Sequence, residues 1–270
     1  MILVRWTEGA AMDGEIALVT GAGGAIGTEI CRALRAAGAR IALADVDEAA
    51  LERATAELGP GDDLASFAVD LADDRQTSAL PDRVRDRFGG LDILVNNAGV
   101  REVLPMLDLT PEHWRRTLDV DLVAPFTLSR AAIPGMIAQG GGKIVNIASM
   151  AGLAAFRDRA AYSSAKAGLI MLTKVTAVEC GDQGIRCNAV APGVVETPMT
   201  SSFFGSADLT ASMRANTPMR RWCGPAEIAE PVVFLCGPEA RFVNGAVIPV
   251  DGGWTAGYYG AELSPRPKES

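Results

Sequence analysis

The sequence predicts an α/β fold: a doubly wound parallel sheet with helices on both faces, in a single domain. Three observations predict it. Short apolar runs alternate with helical stretches along the 270 residues without an intervening linker. The runs are continuously apolar, as in Ile93-Leu94-Val95 and Ile144-Val145-Asn146-Ile147, which is the pattern of strands covered on both faces. A glycine-rich turn joins the first strand to the first helix.

The pattern begins near Met12-Asp13-Gly14, so residues 1–11 are expected to be an N-terminal extension and residues 12–254 the domain. Ile16 to Val19 is a buried strand, Thr20 to Gly27 a turn, and Thr28 to Ala37 the helix after it. The second strand, Ile41 to Ala44, ends in Asp45, eighteen residues past Gly27. Leu64 to Val69 is the third strand and runs into Asp70; the fourth and fifth are the two runs quoted above. A helix carries Tyr162 to Lys166 and stays apolar on more than one face through Val178, which predicts burial against the sheet and against a second surface. Between Met199 and Arg221 the pattern breaks, with Phe203, Phe204, Met213 and Met219 among small polar residues. After Gly253, residues 255–270 read as a tail, disordered from Pro265 onward.

Two constellations carry chemistry. Tyr162 and Lys166 are four residues apart on a helix, hence on one face, and Ser149 precedes the tyrosine by thirteen residues at a strand end. A phenol of reference pKa ~10 is a poor base near neutrality, and an adjacent ammonium favours its phenolate. A serine hydroxyl beside it is placed to hold a carbonyl or alcohol oxygen during proton transfer. The second constellation is the turn, where Gly21, Gly23, Gly24 and Gly27, with Ala25 and Ile26, let backbone approach a pyrophosphate at a helix N-terminus. Asp45 then stands where a carboxylate binds ribose hydroxyls. No Lys-Ser/Thr pair follows the turn, which excludes a phosphate loop of NTPase type.

From Gly14 to Gly253 the chain resembles the short-chain dehydrogenase/reductase family, whose sheet is Rossmann-like. Thr20 to Gly27 is similar to its cofactor turn, with Ala25 in place of the usual middle glycine. The resemblance implies that Asp70 contacts the adenine amine and that Asn96-Asn97-Ala98-Gly99 supports cofactor and sheet. It further implies that Ser149, Tyr162 and Lys166 are catalytic, with Lys166 also on the nicotinamide ribose, and that Pro192, Gly193, Val195 and Thr197 hold the carboxamide. The family's lid falls at 199–221, where Phe203 and Phe204 cover substrate or pack on the sheet edge or a neighbouring subunit. One departure stands out. The family's catalytic asparagine, on the helix between the fourth and fifth strands, is here Asp121, and an ionised carboxylate accepts hydrogen bonds but donates none.

Composition narrows the classes. A net charge of −8 argues against nonspecific nucleic-acid binding, and no apolar run reads as a membrane span or signal-peptide core. Five scattered cysteines read as free thiols of a reducing, cytoplasmic compartment. The single histidine, His113, sits at a helix start and makes no metal site. The expectation is an NAD-dependent oxidoreductase of a small secondary alcohol or ketone, cyclic or sugar-like, assembled as a homotetramer. Asp45 would repel a 2′-phosphate, and neither Gly24 nor Val46 supplies a cation to offset it. Two alternatives are reduction of a 3-oxoacyl group on a carrier protein, and a regulator that binds NAD with impaired chemistry. Arg130 is a basic docking residue on one flanking helix, but Glu179 and Asp182 oppose an acidic carrier on the other.

Overall fold

The computed structural model describes residues 12–197, 200 and 207–257. Seven parallel strands form one sheet in the order β3-β2-β1-β4-β5-β6-β7. The strands are β1 (Ile16–Thr20), β2 (Arg40–Asp45), β3 (Leu64–Ala68), β4 (Ile93–Asn96), β5 (Gly142–Ile147), β6 (Ile185–Pro192) and β7 (Val247–Val250). Register is continuous across the centre, with Val19 opposite Leu43 on one side and Val95 on the other. The order reverses between β1 and β4, so a crevice opens beyond their carboxyl ends, the place where ligands bind in open α/β sheets.

Alternation along the strands sends side chains to two cores. Ala17 and Val19 of β1 join Ile41, Leu43, Ile93 and Val95 under helix α1 (Ala25–Ala36) and helix α8 (Pro225–Cys236), which bring Ile30, Leu34, Ile228 and Val232. Ile16 and Leu18 face the other way, with Ala42, Leu94 and Ile144. There they meet Leu80 and Val84 of α3 (Asp74–Phe88) and Leu128, Ala132 and Met136 of α5 (Ala124–Ala138). Helices α2 (Glu48–Leu58), α4 (Pro111–Leu118), α6 (Ala160–Cys180) and α7 (Ala207–Asn216) complete the set among the described residues.

Three details differ from the sequence expectation. Helix α1 starts at Ala25, three residues early, because the turn needs only Gly21 to Gly24 before the chain is helical. Strand β3 ends at Ala68, leaving Asp70 exposed at its tip. The stretch Pro111–Ala138 is long and apolar enough to cross a membrane by length and composition. Its second half is nevertheless a core helix, since Leu128, Ala132 and Met136 are fully buried against the sheet. His113 lies where expected, its backbone N–H donating to Thr110 Oγ1 (3.3 Å) at the start of α4. All five cysteines are free. Residues 1–11, Met199, Phe203, Phe204 and the tail from Tyr258 onward lie outside the described residues.

Candidate active site

The cofactor side of the crevice is built from backbone. Gly21 has φ +64, and a Cβ there would lie 2.8 Å from Ala98 Cα; at Gly27 it would lie 2.1 Å from Gly21 O. Any larger residue would push the turn off the strand beneath it. Gly24 caps α1 without a side-chain hydrogen bond, so the first N–H groups of the helix remain available to an anion. Gly23 N–H donates to Asp45 Oδ2 (3.0 Å) and Asp47 N–H to Oδ1 (3.1 Å), which fixes the carboxylate at the end of β2. Asn97 locks this turn to β4: its Nδ2 donates to the carbonyls of Thr20 (2.8 Å) and Gly21 (3.1 Å), while Thr20 Oγ1 accepts from the N–H groups of Asn97 and Ala98. A cradle that no Cβ could share, free helix N–H groups and a positioned carboxylate fit the pyrophosphate and ribose of a dinucleotide.

The reaction side is built from side chains. Ser149 follows β5 and caps a short 3-10 turn, Met150–Gly152, its Oγ accepting from Ala151 N–H (3.1 Å). Gly152 allows that turn to lie on α6, because a Cβ there would meet the Lys166 carbonyl carbon at 2.7 Å. Tyr162 sits in the first turn of α6, half-buried, and Lys166 Nζ lies 5.7 Å from the centre of its ring. Lys166 is buried, and its ammonium donates to Ile147 O (3.0 Å) at the end of β5. A buried chain also ties the strands behind it: Asn96 Nδ2 donates to Asn146 Oδ1 and Asn146 Nδ2 to Thr173 Oγ1, both at 2.8 Å.

Asp121 completes this corner. It lies in a π-helical turn, Asp119–Val123, between α4 and α5, a distortion that sequence periodicity does not announce. Fully buried, it accepts from Val100 N–H through Oδ1 (2.7 Å) and meets Lys166 Nζ through Oδ2 (3.2 Å). Gly99 makes room for both, since a Cβ there would be 2.9 Å from that oxygen and 3.4 Å from the ammonium. Burial raises the Asp121 carboxyl above the usual carboxylate range, with Lys166 and Val100 pulling it only part of the way back. Burial pulls the Lys166 ammonium down, but Asp121 and Tyr162 outweigh that and hold it above the ordinary lysine value. The corner therefore retains protons strongly.

The third wall comes from the ends of β6 and β7. Gly193 lies against Asp251, 2.7 Å from a Cβ position to Asp251 Cα, and its N–H donates to Val250 O (2.9 Å). Pro192 ends β6, Val195 is buried, and Thr197 N–H donates to Thr200 Oγ1 (3.0 Å). Arg221, in the expected lid, is held by Glu227 at 2.7 and 2.6 Å. Between Ser149 and Tyr162, the Arg157 side chain is 96% exposed. Sequence reasoning overlooked Arg101, which is half-buried and within electrostatic range of Tyr162; the signal was a charged residue two positions past Gly99. A cavity of about 670 Å³ lined by Glu15, Lys143 and Arg186 lies at the amino ends of the strands, away from this chemistry.

A family model described as enoyl-(acyl carrier protein) reductase matches residues 21–255. The cis-4-hydroxycyclohexanecarboxylate dehydrogenase of Sinomonas cyclohexanicum is 39% identical over 92% of this chain and 99% of its own length. The chain belongs to the short-chain dehydrogenase/reductase family. Galactitol 2-dehydrogenase (L-tagatose-forming) of Cereibacter sphaeroides is 39% identical, covering 90% of this chain and 96% of that protein. A solved structure from Beutenbergia cavernae, described as an NAD(P)-dependent gluconate 5-dehydrogenase with NADP at low occupancy, superposes with a TM-score of 0.87 at 34% identity, over 92% of this chain and all of that one. As a short-chain dehydrogenase/reductase, the protein is an oxidoreductase that acts on CH–OH groups with a nicotinamide cofactor.

Proposed function

We propose that the protein is an NAD(H)-dependent dehydrogenase of a small, free secondary alcohol or ketone, cyclic or sugar-like in shape. The observation that carries this is the reaction corner, where the Ser149 turn, Tyr162 and the buried Lys166 come together across the crevice from Asp45. When bound, the nicotinamide supplies the hydride acceptor or donor. Tyr162 moves the proton to or from the substrate oxygen, and Ser149 Oγ holds that oxygen. Lys166 keeps a positive charge beside the phenol and binds the nicotinamide ribose. Asp121 and Ile147 O hold the lysine in place from behind. Gly21 to Gly27, Asp70, Asn97, Gly99 and the loop Pro192, Gly193, Val195 and Thr197 bind the remainder of the cofactor.

The choice of NAD rests on Asp45, whose carboxylate is fixed by two backbone N–H groups and is followed by the exposed Val46, a position without the cation needed to tolerate a 2′-phosphate. A free substrate is favoured over a carrier-bound one because Arg130 is opposed by Glu179 and Asp182 near the carboxyl end of α6. The homotetramer reading is supported by α5 and α6, which leave Phe126, Met171, Val175 and Val178 between 42% and 83% exposed on outer faces. A reducing, cytoplasmic setting fits the five free thiols. The test is a panel of cyclic alcohols, polyols and their ketones, with NAD⁺ or NADP⁺, followed by absorbance of the reduced cofactor. Comparable efficiency with both cofactors overturns the NAD reading, and a tenfold preference for an acetoacetyl carrier protein overturns the free-substrate reading. A monomer in light scattering at micromolar concentration overturns the assembly.

A further inference from the structure

Two walls of the crevice are joined by a pair of aromatic rings. Phe156 lies on the reaction wall, seven residues after Ser149 and six before Tyr162, between the Met150–Gly152 turn and α6. Trp254 comes from the third wall, in a short 3-10 turn, Trp254–Ala256, that follows β7. Asp251 builds that turn. Buried against Gly193, it accepts from Gly253 N–H through Oδ1 (2.9 Å) and from Thr255 N–H (2.9 Å) and Thr255 Oγ1 (2.5 Å) through Oδ2, while its carbonyl accepts from Trp254 N–H (3.2 Å). The end of the expected lid packs beneath: Met219 N–H donates to Gly252 O (3.2 Å), and a Cβ on Gly253, at φ +89, would lie 3.1 Å from Pro218. From this fixed turn the Trp254 ring meets the Phe156 ring, with centroids 5.9 Å apart and planes inclined at 43°. Both residues are only half-buried, and Met219 beside the turn is 59% exposed. The polar corner at Ser149, Tyr162 and Lys166 is thus bounded, toward Gly193, by open apolar surface.

We propose that Phe156 and Trp254 form an aromatic platform for the apolar face of a carbocyclic substrate, selecting ring alcohols and ring ketones over open-chain polyols. The inference rests on the dehydrogenase reading above and deepens it from cyclic or sugar-like to carbocyclic. A saturated carbon ring covers the two aromatic faces with C–H groups alone, so contact removes apolar area from water at no polar cost. A polyol carries a hydroxyl on every carbon, and each one pressed on an aromatic face loses water without gaining a partner. A ring also gives up less internal freedom than a chain when it is held. The platform orients as well as binds: with the ring seated on it and the oxygen held by Ser149 and Tyr162, the reacting carbon is fixed at two points.

Two measurements test this together. Steady-state kcat/KM with NAD⁺ is compared for cyclohexanol and threitol, and calorimetry measures cyclohexanone binding to enzyme saturated with NAD⁺, a complex that cannot react. Cyclohexanol is expected to exceed threitol by about tenfold or more, the scale on which an apolar pocket discriminates. Phe156→Ala and Trp254→Ala are each expected to weaken cyclohexanone binding by about tenfold, while the affinity for NAD⁺ alone holds. Trp254→Phe should recover part of the loss, since it restores an aromatic face. Cyclohexanone should also change the tryptophan emission, and Trp254→Phe, which keeps Trp6, Trp114 and Trp222, should remove most of that change. Threitol equal to or better than cyclohexanol, no binding of cyclohexanone, or variants that leave its affinity unchanged overturn the platform. Variants that weaken cyclohexanone and NAD⁺ alike overturn it too, because they mark a purely structural pair. Turnover of polyols without preference for the ring leaves the dehydrogenase standing and removes the platform. Cyclohexanone binding that depends on both rings, with no turnover of any alcohol, does the reverse.

Discussion

From Gly21 to Asp45 the cofactor side of the crevice is made of backbone, with N–H groups, tight glycine turns and one carboxylate held by two amides. Across from it, the reaction side is made of polar and charged side chains drawn from four segments: Arg101, Asp121, Ser149 and the stretch from Arg159 to Lys166. The two sides meet the same demand, stabilising charge away from bulk water, by different means. Backbone dipoles carry no net charge and need no counter-ion, so the cofactor side needs only space, which glycine provides. Buried ions need partners, so the reaction side is coupled: Lys166 answers Asp121, Ile147 O and Tyr162 at once. Single changes on the cofactor side are therefore expected to act locally, and changes on the reaction side to spread.

The largest expected effect is on the reaction side. Tyr162→Phe should lower kcat by at least about two orders of magnitude, the scale of a positioned acid/base, while cofactor affinity measured by fluorescence titration stays nearly intact. Retention of most activity would remove the assigned mechanism. Lys166→Ala should weaken both cofactor binding and turnover, since it leaves Asp121 buried without its cation. An effect confined to kcat would break the claim that the corner is coupled.

Next in size is a local effect. Asp45→Ala should narrow the NAD over NADP preference by about tenfold, as expected when a carboxylate no longer opposes a phosphate within a few ångströms, and should leave the pH profile of kcat unmoved. A shift of that profile would show that the two sides are not separable.

Asp121→Asn sharpens the comparison through pH. The Asp121 carboxyl is raised by burial and the Lys166 ammonium is held up by Asp121. The amide keeps the contact to Val100 but leaves the lysine's charge unopposed, so the ascending limb of kcat against pH should move to lower pH. Stability should respond in the same variant. A carboxyl raised in the folded state favours folding most below its unfolded value and loses that contribution as pH rises through the folded one. Asp121→Asn should therefore gain stability relative to the parent as pH climbs from acid toward neutral. An unchanged kcat profile and rate would show that the carboxylate acts as a passive replacement for an amide.

The smallest effect is expected outside both sides. Arg221 and then Gly224 N–H hold the Glu227 carboxyl down at about 2. Glu227→Gln should lower Tm by roughly a few degrees at most at neutral pH. A depressed carboxylate stabilises above its unfolded value and loses that as pH falls through the folded one, so the difference should vanish near pH 2. Activity per folded molecule should not change.

Much of this protein was legible in the chain itself. Continuous apolar runs such as Ile93 to Val95 become strands because only a doubly covered sheet buries them on both faces. Gly21, Gly23 and Gly27 mark their turn because a tight strand-to-helix turn is written with glycine, although only at Gly27 do local atoms exclude the Cβ, Ala98 and Ala50 doing so at the other two. The Tyr162 and Lys166 pair was visible for the same reason, since helical spacing alone puts them on one face. Tertiary structure decided what depends on distance between segments. Nothing in the spacing separates Arg157 from Arg159, yet on either side of the left-handed Asp158 one lies in solvent and the other is half-buried. Arg101 joins Arg159 only because β4 and the segment before α6 end beside each other. Asp121 reads in sequence as a replacement for an amide. Its direct contact with Lys166, forty-five residues further on, comes from a π-turn at Asp121 and from the space left by Gly99, twenty-two residues before it. Local backbone geometry is written in neighbouring residues, whereas the pairing of buried charges is set by which strand ends the fold places side by side.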